Sequence, residues 1–227
     1  MAKRPARAKT DPVAPDLPDE LELERALPAD LRSFELRGCR IHGLDLRGRV
    51  AHNLQVVESQ LDDVDLTEAP IRGLQLRDAR VQGGSWANAD ADSAALRRVE
   101  LHGVRLTGAM LAHAALTDVA FSGCRLDLAN LRFGELLRVS FEGCNMAEVD
   151  LQDATLASVA FTDCDLAGAR LAGATLTGST IRRCRLDGIV NPERLAGVRM
   201  TVPDAIAAVG VVAAAAGIEL EPGEPAP

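Results

Sequence analysis

The chain has 227 residues, with 25 Lys and Arg against 33 Asp and Glu for a formal charge of -8; 47% are hydrophobic but only 3% aromatic. So few aromatics exclude a core built on large anchors and leave little to stack on nucleobases, and the acidic balance disfavours direct binding of a phosphate backbone. No window of 18 apolar residues occurs and the first residues lack an apolar stretch, so a cytoplasmic protein with no membrane contact is expected.

Residues 1–17 carry Lys3, Arg4, Arg7 and Lys9 among Pro5, Pro12 and Pro15, which predicts a disordered basic tail. Residues 18–28 are expected to form a short strand or helix that caps the body of the chain. From Leu31 a large apolar residue recurs every five positions as far as Leu186, 32 positions without an insertion or deletion, Ala51 and Ala91 being the two small exceptions. Two residues before each lies a column of small side chains, among them Cys39, Ala79, Ala109, Cys124, Ala154 and Cys184. Neither the 3.6 period of a helix nor the 2.0 period of a strand produces this spacing.

Ala29-Asp30-Leu31-Arg32-Ser33, Ala129-Asn130-Leu131-Arg132-Phe133 and Cys164-Asp165-Leu166-Ala167-Gly168 carry a resemblance to the pentapeptide-repeat family and its A(D/N)LXX motif. The resemblance implies an all-β solenoid over 29–190, a right-handed quadrilateral β-helix of about eight coils in which each square coil takes four pentapeptides. Units four pentapeptides apart then stack. Phe121, Phe141 and Phe161 form one such column, Cys124, Cys144, Cys164 and Cys184 a second, and Gly43, Gly83, Gly103, Gly123 and Gly143 a third, which predicts buried free thiols and a turn with positive φ. At about 4.8 Å per coil the rod is roughly 38 Å long. Its interior is filled, so no substrate lumen is expected.

Past the repeats, Asn191-Pro192-Glu193-Arg194-Leu195-Ala196-Gly197 predicts a short helix with Asn191 as N-cap, and Thr201-Val202-Pro203-Asp204 a capping-box-like start to a helix reaching Ala216, stopped by Gly217. Residues 191–217 are thus expected to form a helical cap, and 218–227 a tail. Val202, Ile206, Val209, Val211 and Ala213 place apolar residues on more than one side of that helix, more than one rod end covers, so a homodimer is expected. The tail also resembles that of mycobacterial-type (Mfp) fluoroquinolone-resistance pentapeptide proteins, which implies dimerisation through this helix.

The chain lacks GxGxxG, Walker, HExxH and GxSxG motifs, so no catalytic residue, cofactor, metal or small-molecule substrate is expected. Between Arg138 and Arg170 lie six acids, Glu142, Glu148, Asp150, Asp153, Asp163 and Asp165, with no Lys or Arg among them. On a rod of nearly duplex width such carboxylates present a DNA-like potential. The Mfp and Qnr resemblance implies DNA gyrase, a type II topoisomerase, as the partner bound through duplex mimicry, and protection from quinolones or a natural topoisomerase poison. The alternative is a structural or interaction scaffold with no topoisomerase partner. Leu128, Phe133 and Leu137 fall at outward positions and mark a further contact patch or local packing.

Overall fold

The computed structural model describes residues 11–24, 27–28 and 30–220. Strands β1 (Glu22–Glu24), β2 (Glu35–Arg37) and β3 (Cys39–His42) precede five eight-residue strands, β4 (Gln55–Asp62), β5 (Gln75–Gln82), β6 (Ala95–His102), β7 (Ala115–Ser122) and β8 (Glu135–Glu142). The series ends in β9 (Thr155–Ala157), β10 (Ala160–Thr162) and β11 (Thr180–Arg182). From β4 onward all pairings are parallel and advance by four pentapeptides: Leu101 lies beside Phe121, then Phe141, Phe161 and Ile181. Isolated parallel bridges such as Asp65 to Ser85 and Asp90 to Met110 hold the faces without named strands. The result is the right-handed quadrilateral β-helix of about eight coils that the pentapeptide spacing predicts, with a short helical region after it.

The corners explain how each pentapeptide makes one side of the square. In every unit the residue two places after the inward apolar side chain has positive φ, from Ser33 (54°) to Gly188 (67°). The sequence points to this conformation only for the column of Gly43 and Gly83, yet Glu68, Arg98, His113 and even Phe133 adopt it. A side chain there costs about 1–2 kcal/mol, which the stacked coils on either side must outweigh.

The paired inward columns fill the interior. Phe121, Phe141 and Phe161 stack with centroids 4.8 and 5.3 Å apart and rings within 11° of parallel. Trp86 takes the place of a leucine, and the small-column residue of its unit is Gly84, where a Cβ would stand 2.3 Å from the Val64 carbonyl oxygen. The void left among Leu36, Ile41, Leu61 and Trp86 is about 20 Å³, close to the size of one water and wholly apolar in its lining.

All five cysteines are free, and Cys39, Cys124, Cys144 and Cys164 are buried. Cys184 is half-exposed, contrary to the expected fully buried ladder, because only the irregular cap comes after its coil. The thiols of Cys124, Cys144 and Cys164 donate to the carbonyls of Leu101, Phe121 and Phe141 on the preceding coil. The neighbouring thiol in the ladder, with burial, pushes Cys144 up to about 12 and Cys164 up to about 11.

Both ends differ in detail from expectation. The tail expected over 1–17 is bound from residue 11 onward, since Val13 N–H donates to Asp118 Oδ1 (3.0 Å) and Asp16 N–H to Asp78 Oδ1 (3.1 Å). Residues 1–10, with the four basic side chains, lie outside the described residues, as do 221–227 of the expected C-terminal tail. The N-terminal segment then enters β1, which pairs with β3 and caps the first coil. At the other end Pro192–Leu195 is a 3-10 turn, and Asn191 sits in left-handed backbone with its amide on Glu193 Oε1 (3.1 Å) instead of capping the turn. Arg199 rejoins the stack beside Thr180, one position short of the coil register. The single helix expected to Ala216 is two helices, α1 (Val202–Ala207) and α2 (Val209–Ala215), with a break at Ala208. Thr201 caps α1 as predicted, its Oγ1 accepting from Asp204 N–H at 3.3 Å. Among the described residues no helix is long and apolar enough to cross a membrane.

Thiols whose folded pKa is raised stabilise fully below the unfolded value, near pH 8.5, and lose that contribution as pH climbs toward 11 and 12. The thermal midpoint is therefore expected to be level to about pH 8.5 and to fall above it, with a shallower fall in a Cys144→Ala, Cys164→Ala variant. Equal slopes in both proteins would refute the ladder as the cause. Phe141→Ala is expected to cost about 3–5 kcal/mol in chemical denaturation, because its stacked neighbours cannot close the gap.

Candidate protein-interaction surfaces

The six acids that look uncompensated along the chain are divided by the coils among three faces. Glu142 and Asp163 belong to one, Glu148 and Asp165 to the next, Asp150 and Asp153 to the third, as their units on Phe141, Phe161, Met146, Leu166 and Leu151 dictate. Stacking also brings in cations from the next coil. Arg183 grips Asp163 through two contacts of 2.6 Å and holds its carboxyl below the usual range, and Arg185 meets Asp165 at 3.0 Å. Asp150 bridges in register to Arg170 on the next coil. Among the described residues Glu142, Glu148, Asp150 and Asp153 have no ion pair. The shallow groove beside Glu148 and Asp150 also holds Asp187, and Arg132, Arg170 and Arg185 balance the three acids. The geometry thus gives no single acidic face of these six residues.

The same spacing makes ion-pair ladders elsewhere. Arg138 forks onto buried Asp118 through Nε (2.8 Å) and Nη2 (2.7 Å), Arg98 does the same to buried Asp78, and Arg80 Nε meets Glu100 at 3.0 Å. Reading charges one coil apart instead of along the chain would have revealed these pairs. The histidines are not uniformly solvated: His113 Nδ1 lies 3.3 Å from Asp92, and Nδ1 of half-buried His52 is enclosed without a hydrogen-bond partner.

Two apolar surfaces stand out. On the terminal helices Val202 (74% exposed), Ile206 (68%) and Val209 (54%) form an open row joined by Val212, which sequence reading missed. Val211 and Ala213, expected in the dimer contact, instead turn toward the rod: Ala213 is buried and Val211 packs on the core. The two sets meet on α2, where Val209 and Val212 are exposed while Val211 and Ala213 face the rod. The second surface is the belt of Leu128, Phe133 and Leu137, exposed as predicted. Phe133 stacks on His113 at 5.1 Å, with the Arg132 guanidinium 5.3 Å from its ring centre.

Leu128 and Phe133 sit in the belt with φ of 60° and 59°, a conformation that large apolar side chains avoid. Leu128 is 57% exposed and contributes little burial in return. Leu128→Asn is therefore expected to raise stability by about 1 kcal/mol in urea denaturation, because Asn tolerates this backbone. A loss of stability would mean that the Leu128 side chain is held by contacts worth more than the strain.

Comparison with known proteins agrees with this geometry. Residues 114–190 match the family described as pentapeptide repeat region, and residues 75–111 and 87–123 match pentapeptide repeats (8 copies), so the matches together span half of the chain. No curated protein matches the chain in sequence. Among solved structures, a trypsin-treated variant of QnrB1, a plasmid-mediated fluoroquinolone resistance protein, is similar at 14% identity with a TM-score of 0.60, covering 89% of this chain and 100% of that one. HetL, a pentapeptide repeat protein involved in heterocyst differentiation regulation from the cyanobacterium Nostoc sp. strain PCC 7120, is similar at 19% identity with a TM-score of 0.45, covering 78% of this chain and 92% of that one. At these identities the likeness concerns the fold, and fold, register and family matches together place the chain in the pentapeptide-repeat family.

Proposed function

We propose that this chain is a non-enzymatic binding rod: two copies join end to end through the apolar row of α1 and α2, and the lateral faces of the longer rod dock a protein partner. The observation that carries this reading is the exposure of Val202, Ile206, Val209 and Val212 on α1 and α2, while Val211 and Ala213 seat α2 at the rod end. Apolar side chains this exposed, on an element that also has a buried side, favour a self-complementary contact about a two-fold axis. Light scattering at micromolar concentration is expected to give twice the 24.0 kDa chain mass, and Ile206→Glu with Val209→Glu to return it to one chain. A single-chain mass for the unaltered protein contradicts the dimer.

A second reading is that the partner is DNA gyrase, bound through duplex mimicry. What favours it is the set of carboxylates without an ion pair, Glu142, Glu148, Asp150 and Asp153, together with the fold shared with a fluoroquinolone resistance protein. The Arg ladders weigh against it, because a duplex mimic needs one face of uncompensated charge. Such a contact weakens with salt, as screening at 0.15 M confines exposed pairs to about 8 Å. A supercoiling assay with and without a quinolone tests it: the protein is expected to change gyrase activity, and Glu148→Lys, Asp150→Lys, Asp153→Lys to abolish the change while the fold persists. No effect of the unaltered protein removes gyrase and leaves the binding rod.

A further inference from the structure

The segment from Asp11 to Pro18 lies lengthwise on the rod, across the coils instead of within them. Pro12, Pro15 and Pro18 recur at every third position; Pro12, Pro15 and Leu17 are half-buried, while Val13, Ala14, Asp16 and Pro18 are exposed. The two amides directly after the first two prolines, those of Val13 and Asp16, donate to Asp118 and Asp78. Residues three apart point to opposite sides in a strand and to the same side in a polyproline II helix. The advance agrees: one three-residue turn of polyproline II rises about 9.3 Å, and the two coils between Asp118 and Asp78 span about 9.6 Å.

The receiving surface repeats itself over the same distance. Asp78 with Arg98, and Asp118 with Arg138, are equivalent forks two coils apart, and in each the guanidinium Nε and one segment amide share the carboxylate oxygen Oδ1. All four side chains leave the left-handed corner of their units, so the square coil itself sets their spacing along the rod. Both carboxylates are buried beneath the segment, and each is gripped at two points by its arginine, which orients the acceptors.

The geometry points to a docking track for a polyproline II peptide of the form P-x-x-P-x, reading the amide after each proline; residues 11–18 occupy it in the free protein, and a partner's proline-rich segment exchanges with them. Specificity for proline follows from the period of three, and a rigid peptide of this kind loses little entropy on docking. The inference deepens the binding-rod reading by naming a partner class, and its failure would leave the dimer mass and the gyrase assay as they stand.

The test uses the full chain carrying Val13→Pro and Asp16→Pro, which removes both donor amides and keeps the segment's conformation, beside a Val13→Ala, Asp16→Ala control that keeps them. In the unaltered protein and in the alanine control, the amides of residues 13 and 16 are expected to exchange at least tenfold more slowly than in the free peptide of residues 11–20. A labelled peptide of residues 11–20 is expected to bind the proline variant at least tenfold more tightly than the unaltered protein. The same peptide with proline at the positions of Val13 and Asp16 is expected not to bind, and with alanine there to bind normally. Amides at 13 and 16 that exchange as fast as in the free peptide, no binding of the peptide to the proline variant, or equal binding of the proline and alanine peptides overturns the track. A chain mass that drops in the proline variant would assign the site to the segment of a second copy and overturn exchange with a different partner.

Discussion

A chain that turns a right-angled corner in every pentapeptide must place one residue per unit in left-handed backbone, and the rest of this protein depends on that. The corner brings the chain back above itself after four units, turns two side chains per unit inward and leaves three outside. Glycine at Gly103 or Gly143 adopts this conformation freely, whereas Arg98, Asp118 and Arg138 adopt it with a side chain that then projects from the edge of the rod. The residues that carry the strain of the corner are thus also the ones best placed to meet another molecule.

The same closure rewrites the electrostatics. Residues one coil apart become neighbours at the spacing of adjacent strands, so the charges that matter to Asp163 and Asp165 are Arg183 and Arg185, beyond the end of the acidic run. A stretch that reads as uncompensated along the chain is compensated across it at Asp163 and Asp165. Unpaired carboxylates survive at Glu142, Glu148, Asp150 and Asp153, but on different faces of the square. The outer surface therefore recognises through local patterns, such as the Asp–Arg forks, the Leu128–Phe133 belt and the terminal apolar row, more than through a uniform field.

Both ends of the stack must satisfy open strand edges, and they do so by different means. At the start, β1 adds a parallel strand to β3 after the proline segment has run along the outside. At the finish, the 3-10 turn buries Leu195, Arg199 rejoins the ladder one position early, and α2 packs on that turn with Val211 against the core and Ala213 buried. The finish leaves an apolar row open and the start leaves a segment bound lengthwise, so the two ends carry the features that invite a second molecule.

The sequence by itself determined the coil. The unbroken five-residue column from Leu31 to Leu186 and the ladders of Phe121, Phe141 and Phe161 define the square, its register and its filled core, because inward packing tolerates only one alignment of large and small side chains. Tertiary structure decided what the period does not encode. That every unit takes the left-handed corner is invisible at Glu68 or Phe133, where composition gives no hint and only stacking enforces the conformation. The division of the acids among faces, the outward turn of Val209 against the inward turn of Ala213, and the seating of Val13 and Asp16 on residues 105 and 62 positions away all depend on which groups the coils bring together in space. A linear reading cannot assign contacts that exist only once the chain has closed on itself.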